Sequence, residues 1–381
     1  MKVDAQSQPR YNVLFIAIDD MTQRTDFFGY PEMATPNVQR ILNRGVLFNK
    51  CYVQYALCSP SRTSFLSGWR PDRTRIFDDN VDPRTVIDSS VTFLPEYFKK
   101  FGYRTERYGK IMHVTFENDI TWDYADPAET GGVGLNLLKR DVDGEQLLSA
   151  VKTPLPLGAW WVNQTPDSAT YDGMFSRDLA GRLQQPQAGP FFYGLGLVSP
   201  HYDFSPNLNS WNRSGDPSVQ ESLPTNINGD TLPGFKGNGS GNLVIPNEPV
   251  NDRGDIPKPA LPYQLVKSPY DLKRTIHAYE GEVSQMDTQL GLVLDKMDSL
   301  DLWSNTIVIF FSDHGQHLGE HEGLWRKQTL FEEALHIPLV VCAPGKAPGV
   351  CNRLVELIDI YPTLLELCKL PPVPGTEGSS F

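Results

Sequence analysis

A strand buried in a parallel sheet must be apolar on both faces, and four stretches of this chain meet that demand. They are Tyr11–Ile18, Phe191–Val198, Thr306–Phe311 and His336–Cys342. Val46–Val53 and Tyr103–Tyr108 are two further strand candidates. Helical patterns lie between them. Thr35–Gly45 has Thr at the cap, Pro at the first position and Gly past the end. Thr92–Phe101, closed by Gly102, and Tyr171–Leu183 follow. Asp271–Leu300 places Ile276, Tyr279, Val283, Met286, Leu290 and Leu294 at helical spacing, and Asp359–Leu367 is the last helix. Strand–helix alternation without an internal repeat predicts an α/β fold, a mostly parallel central sheet flanked by helices.

At 381 residues the chain has room for one large α/β domain with an ample core, and residues 1–381 are read as a single catalytic domain. Within it, residues 115–262 show poor periodicity. Ser205–Pro262, rich in Pro, Gly and Asn, reads as long loops that face a substrate. A net charge of −12 argues against a nucleic-acid partner. No run is long and apolar enough to span a membrane, and Met1–Arg10 lacks the apolar centre of a signal peptide. Five scattered cysteines make no disulfide framework; Cys342 and Cys351 either pair across a short loop or stay reduced. Asn163, Asn212 and Asn238 begin glycosylation-type sequons.

The chemistry gathers where the strands end. Tyr11–Ile18 runs into Asp19-Asp20, Thr306–Phe311 into Ser312-Asp313-His314-Gly315, and Phe191–Val198 into Ser199-Pro200-His201. Tyr103–Tyr108 delivers Gly109-Lys110 and, three residues on, His113. Parallel α/β sheets place their sites at these ends. Asp19, Asp20 and Asp313 form an oxygen-rich set suited to a hard divalent cation, calcium or magnesium. Cys58-Ser59-Pro60-Ser61-Arg62 reads as the first turn of a helix ended by Gly68, with Ser59 as cap and Pro60 at the first position. Cys58 then stands among free backbone N–H groups that favour an anion. For Cys58 alone a buried structural thiol is the plainer reading. Together these residues offer what hydrolysis of a strong-acid ester needs: a nucleophile, positive charge on the non-bridging oxygens, and an acid for the leaving group.

The motif Cys-x-Pro-Ser-Arg followed by Leu66-Ser67-Gly68 resembles the signature of type I, formylglycine-dependent sulfatases. Arg-Pro-Asp72-Arg-Thr-Arg-Ile, Ser312-Asp-His-Gly and Leu318-Gly-Glu-His321 are similar to the branch related to iduronate 2-sulfatase. The resemblance implies the alkaline-phosphatase-like fold and removal of sulfate from a sulfated sugar or polysaccharide. It implies formylglycine made from Cys58 by a formylglycine-generating enzyme, and one divalent cation, calcium before magnesium. Asp19, Asp20, Asp313, His314 and the residue made from Cys58 would hold that cation. Arg62 would stabilise the aldehyde hydrate, Lys110 and His113 would contact it or the sulfate, Lys327 would bind sulfate, and His201 would protonate the leaving group. An extracellular, periplasmic or lysosomal location is implied as well. Four departures accompany these matches. Ser67 and Trp69 stand where the family has Thr and Arg, and Ser199 where the branch has Lys. The chain also stops at Gly375–Phe381, about where a smaller C-terminal subdomain should begin. A phosphate or phosphonate ester hydrolase of the same superfold and a non-catalytic protein that binds sulfated glycans are the alternatives. Trp69, Arg70, Arg73 and Arg75 form either a strip for an acidic sugar or ordinary surface arginines.

Overall fold

The computed structural model describes residues 10–30, 33–126, 162, 165–202, 204–214, 236–237, 243–244 and 269–381. An eight-stranded sheet runs in the order Gly349–Cys351, Val46–Phe48, Leu339–Cys342, Thr306–Ser312, Asn12–Ile18, Phe191–Leu197, Arg104–Gly109, Tyr124–Ala125. Leu339–Cys342 is antiparallel to both its neighbours, and every other pairing is parallel. The sheet is therefore mostly parallel, as the apolar runs require.

The central strand shows why it had to be apolar throughout. Leu14, Ile16 and Ile18 face one core, while Val13, Phe15 and Ala17 face the other. On the first face lie the long helix Pro269–Ser299, through Tyr279, Val283, Met286 and Leu290, and the helix Tyr171–Leu183, through Phe175 and Leu179. The second face packs Phe65 and Leu66 of the helix Cys58–Ser67 and Phe98 of Leu94–Lys100. Ile360, Tyr361 and Leu364 of the helix Ile360–Leu367 complete it. Each such side chain contributes about 1.5–3 kcal/mol on full burial, so the two cores fix the strand ends firmly in space.

Two expected strands are broken. Val46–Val53 splits at Asn49-Lys50, and Cys51–Tyr52 joins His336–Ile337 and Val355–Glu356 in a separate three-stranded sheet. His336–Cys342 splits at Pro338, which has no N–H for a ladder. Thr35 makes no side-chain cap; the Asp287 carboxylate of the long helix accepts from Asn37 N and Val38 N at 3.0 and 2.9 Å instead. Cys342 and Cys351 are both free thiols.

Most of the stretch 115–262, with Asn163, Asn238 and the loops expected to face a substrate, lies outside the described residues. Asn212 is exposed on the short helix Leu208–Arg213. Among the described residues, no helix is long and apolar enough to cross a membrane.

Candidate active site at the strand ends

Ile18 and Ser312 are register partners on adjacent parallel strands, so the residues that follow them emerge side by side. Asp313 N donates to Ile18 O at 3.0 Å, and Asp20 N donates to Asp313 Oδ1 at 3.1 Å. Asp20 itself sits in the left-handed region, φ 61°, which a non-glycine residue occupies only when its surroundings impose it. The imposing groups are visible. Ser312 Oγ accepts from Met21 N at 2.9 Å. Tyr279 Oη, reaching in from the long helix, donates to Asp20 O at 3.0 Å and accepts from Thr22 N at 2.9 Å. Beside them, a Cβ on Gly196 would lie 1.9 Å from Lys110 O, so the lysine can arrive only because that strand end is bare.

The helix that carries Cys58 begins two residues earlier than its sequence suggests. It spans Cys58–Ser67 with Leu57 at the cap position, so Ser59 and Pro60 lie inside the first turn and Ser59 is not the cap. Proline is tolerated there because none of the first-turn N–H groups has an intrahelical partner. Ser59 N is instead satisfied by Asp79 Oδ1 at 2.8 Å. Gly68 ends the helix at φ 75°, as expected. One turn in, Arg62 is fully buried and ties the site together. Its Nε lies 2.9 Å from Asp313 Oδ2, and its Nη2 lies 3.1 Å from Asp19 Oδ1. Its Nη1 donates to Lys110 O at 2.7 Å. Ser61 Oγ donates to Asp313 O at 2.5 Å.

The structure brings all ten candidate residues together around the Cys58 sulfur. Sγ lies 3.3 Å from His314 Nε2, 3.3 Å from Lys327 Nζ and 3.7 Å from Asp19 Oδ1. Lys110 Nζ reaches Asp19 Oδ2 at 2.5 Å, and Lys327 Nζ reaches Asp20 Oδ1 at 2.5 Å. His201 Nε2 stands 4.0 Å from Asp20 Oδ2. His113 faces Asp79, with Nδ1 at 3.8 Å from a carboxylate oxygen. Asp79 was not singled out from the sequence, Tyr279 was read only as an apolar position of a helix, and Ser61 only as part of the Cys58–Arg62 motif.

Electrostatics follow from the crowding. Burial pushes the Cys58 thiol up, but Lys110, Lys327 and His314 outweigh it and hold the thiol well below its ordinary range. Burial also opposes ionisation of Asp19, yet Lys110 keeps it below the usual carboxylate range. Asp313 is carried up to about 6 by burial, with Arg62 pulling the other way. His314 rises to about 9, because Asp313 and Asp20 overcome the effect of burial. Asp19, Asp20 and Asp313 are at most 1% exposed, and so concentrated a negative charge calls for a cation. Ligand atoms of Asp19, Cys58, Asp313 and His314 lie within 4.8 Å of one another, as do those of Asp20, Cys58 and His201. His314 Nδ1 faces Gly315 O at 3.0 Å, which leaves Nε2 as the nitrogen turned to the carboxylates. This donor set fits a hard divalent cation.

The residues that depart from the expected pattern also have places. Ser199 N donates to Asp172 Oδ2 at 2.9 Å, and Ser199 Oγ accepts from Gln285 Nε2 at 3.2 Å. Arg70 pairs with the Glu356 carboxylate, and Arg73 lies 3.5 Å over the Trp69 ring while donating to Gly375 O.

The Sulfatase family model matches residues 11–370. Iduronate 2-sulfatase of Mus musculus is 30% identical, over 97% of this chain and 71% of its own length. A sulfatase of Formosa agariphila is 31% identical over the same shares, 97% and 71%. Among solved structures, the phosphonate monoester hydrolase of Agrobacterium radiobacter superposes with TM-score 0.71 at 20% identity, covering 98% of this chain and 76% of that one.

Proposed function

From the membership of this chain in the sulfatase family, as a sulfuric ester hydrolase, we propose that it removes sulfate from a sulfated sugar or polysaccharide, through formylglycine made from Cys58. The observation that carries this reading is the surrounding of the Cys58 sulfur. Lys327 and His314 lie 3.3 Å away, and Asp19, clamped by Arg62, lies 3.7 Å away.

In this reading Asp19, Asp20, Asp313 and His314 hold a divalent cation. Three carboxylates from the protein favour calcium, since magnesium usually keeps several waters and takes one or two carboxylates. When present, the cation supplies positive charge to the non-bridging sulfate oxygens, and the hydrated aldehyde at position 58 supplies the attacking hydroxyl. Arg62 keeps Asp19 and Asp313 at a fixed separation and stays charged, because both carboxylates raise an already high affinity for its proton. Lys110 and Lys327 approach from different strands and loops, neutralise Asp19 and Asp20, and present donors to a bound sulfate. Burial opposes protonation of His201, but Asp20 and Asp19 outweigh it and raise the imidazole above its ordinary range, the direction that suits a general acid. His113, with Asp79 3.8 Å from its Nδ1, is the base that removes a proton at position 58.

A formylglycine-generating enzyme is the implied maturation partner, and an extracellular, periplasmic or lysosomal compartment the implied location. Trp69 does not disturb the helix it follows, because its ring is engaged by Arg73 beyond the Gly68 cap. Co-expression with the generating enzyme and a mass spectrum of the peptide across Cys58 test the reading. The aldehyde or its hydrate is expected, together with release of sulfate from sulfated sugars in preference to cleavage of matched phosphonate esters. Cys58→Ala must abolish turnover; full activity in that variant ends the proposal. Reconstitution of stripped enzyme with calcium or magnesium separates the two ions.

A further inference from the structure

We propose that His317, His321 and Glu333 form a second metal site, of a chemistry that selects zinc. The three come from separate short elements. His317 lies on the strand His317–Leu318, His321 in the helical turn Glu320–Gly323, and Glu333 in the turn Glu332–Leu335. All are buried, at 0%, 7% and 9% exposure, and a ligand atom from each lies within 4.8 Å of the other two.

Two imidazoles and one carboxylate are a donor set that zinc accepts readily, unlike the oxygen-dominated cluster at the strand ends. Within the cluster, His321 Nε2 and Glu333 Oε2 are 2.9 Å apart. His317 Nε2 is satisfied by Thr329 Oγ1 at 2.7 Å, but its Nδ1 is buried and has no hydrogen-bond partner. The nearest carboxylate to that nitrogen, Glu320 at 3.9 Å, already accepts from Leu318 N and pairs with Arg24. A buried nitrogen with no partner calls for a ligand. His321 is also held in the left-handed region, φ 50°, with its ring stacked on Phe331 at 3.8 Å between centroids. Strain of this kind at a non-glycine residue marks a position where the side chain's direction matters.

A metal here would act on the neighbouring site by stiffening it. His317–Leu318 pairs with Trp325–Arg326, and Lys327 follows directly. The Glu332–Leu335 turn is joined to the other side of the site, since Gly315 N donates to Ala334 O at 2.9 Å. Bridging His317 and His321 to Glu333 therefore fastens the hairpin that presents Lys327 to the strand end that presents His314.

The test uses the full chain, stripped of metal and then supplied with excess calcium and magnesium, and titrated with zinc chloride alone. Binding of one zinc per chain is expected, with His317→Asn and Glu333→Gln each weakening it by more than tenfold while melting in metal-free buffer stays unchanged. Zinc affinity equal to wild type in both variants, or no saturable zinc binding by the wild type, overturns the proposal. Should a variant fail to fold, cobalt(II) in the wild-type protein decides. Intense visible absorption from a low-coordinate cobalt site, without a thiolate charge-transfer band from Cys58, supports it. A pale octahedral spectrum or a thiolate band refutes it. Neither readout depends on sulfate hydrolysis.

Discussion

Asp79 shows at the scale of one residue what the strand ends alone cannot do. Its carboxylate satisfies the N–H of Ser59 at the start of the nucleophile helix and also faces His113. At 3.8 Å from His113 Nδ1 it acts as a charge beside the ring rather than as a hydrogen-bond acceptor. Asp79→Asn keeps an acceptor for Ser59 but removes the charge, so kcat should fall by about 10- to 100-fold with KM little altered, the scale of a weakened acid–base step. An unchanged kcat in steady-state assays would remove Asp79 from the mechanism. The acids at 19, 20 and 313 were legible because each follows an apolar strand, where a charge is conspicuous. Asp79 follows no such strand, and Tyr279 reads as one more apolar position of a long helix. Each is made functional by a partner far away in the chain, and no periodicity records that.

At the scale of elements, the close approach between Arg104–Gly109 and Phe191–Leu197 decides where Lys110 stands. Gly196→Ala would drive a methyl group into the Lys110 carbonyl, a rigid backbone atom rather than a yielding side chain. The main chain at Lys110 must shift, and overpacking of this kind destabilises by about 1–3 kcal/mol or more. We expect a lower melting temperature and a larger loss of activity than a surface alanine causes, and retention of both would show that the two strands tolerate separation. Helix ends were less legible than helix bodies. Tyr171–Leu183 matches its expected span, whereas the start of Cys58–Ser67 was misplaced because proline is admitted at several first-turn positions alike. The breaks at Asn49-Lys50 and Pro338 are set by pairing with a second sheet, a tertiary fact that local propensity does not carry.

For the molecule as a whole, stability should respond to a buried acid on the long helix. Glu282 is 4% exposed, and burial, with Asp172 nearby, raises it to about 7 although Ser205 N donates to it. A carboxyl whose folded value lies above its ordinary 4.5 contributes fully below pH 4.5. That contribution is lost as pH rises through about 7. Glu282→Gln keeps the acceptor for Ser205 and cannot ionise, so its melting temperature should overtake that of the wild type by several degrees at pH 8, and by little at pH 5. A difference independent of pH would show that Glu282 is not the group responsible. The overall architecture was legible because runs buried on both faces admit few folds. The substrate was not, because the loops that would select it lack regular patterning.

Cys58 has a further consequence in time. Its side chain is 1% exposed, beneath a lysine from one loop and a histidine from the end of a core strand. No enzyme can reach that sulfur once the sheet has closed, and the strand that closes it, Thr306–Ser312, is made nearly two hundred and fifty residues later. Under the proposed function, oxidation at position 58 would thus be a race between a catalyst and the completion of the chain. Slowing synthesis or folding between those two points should raise the fraction of active molecules without changing a single contact in the finished protein.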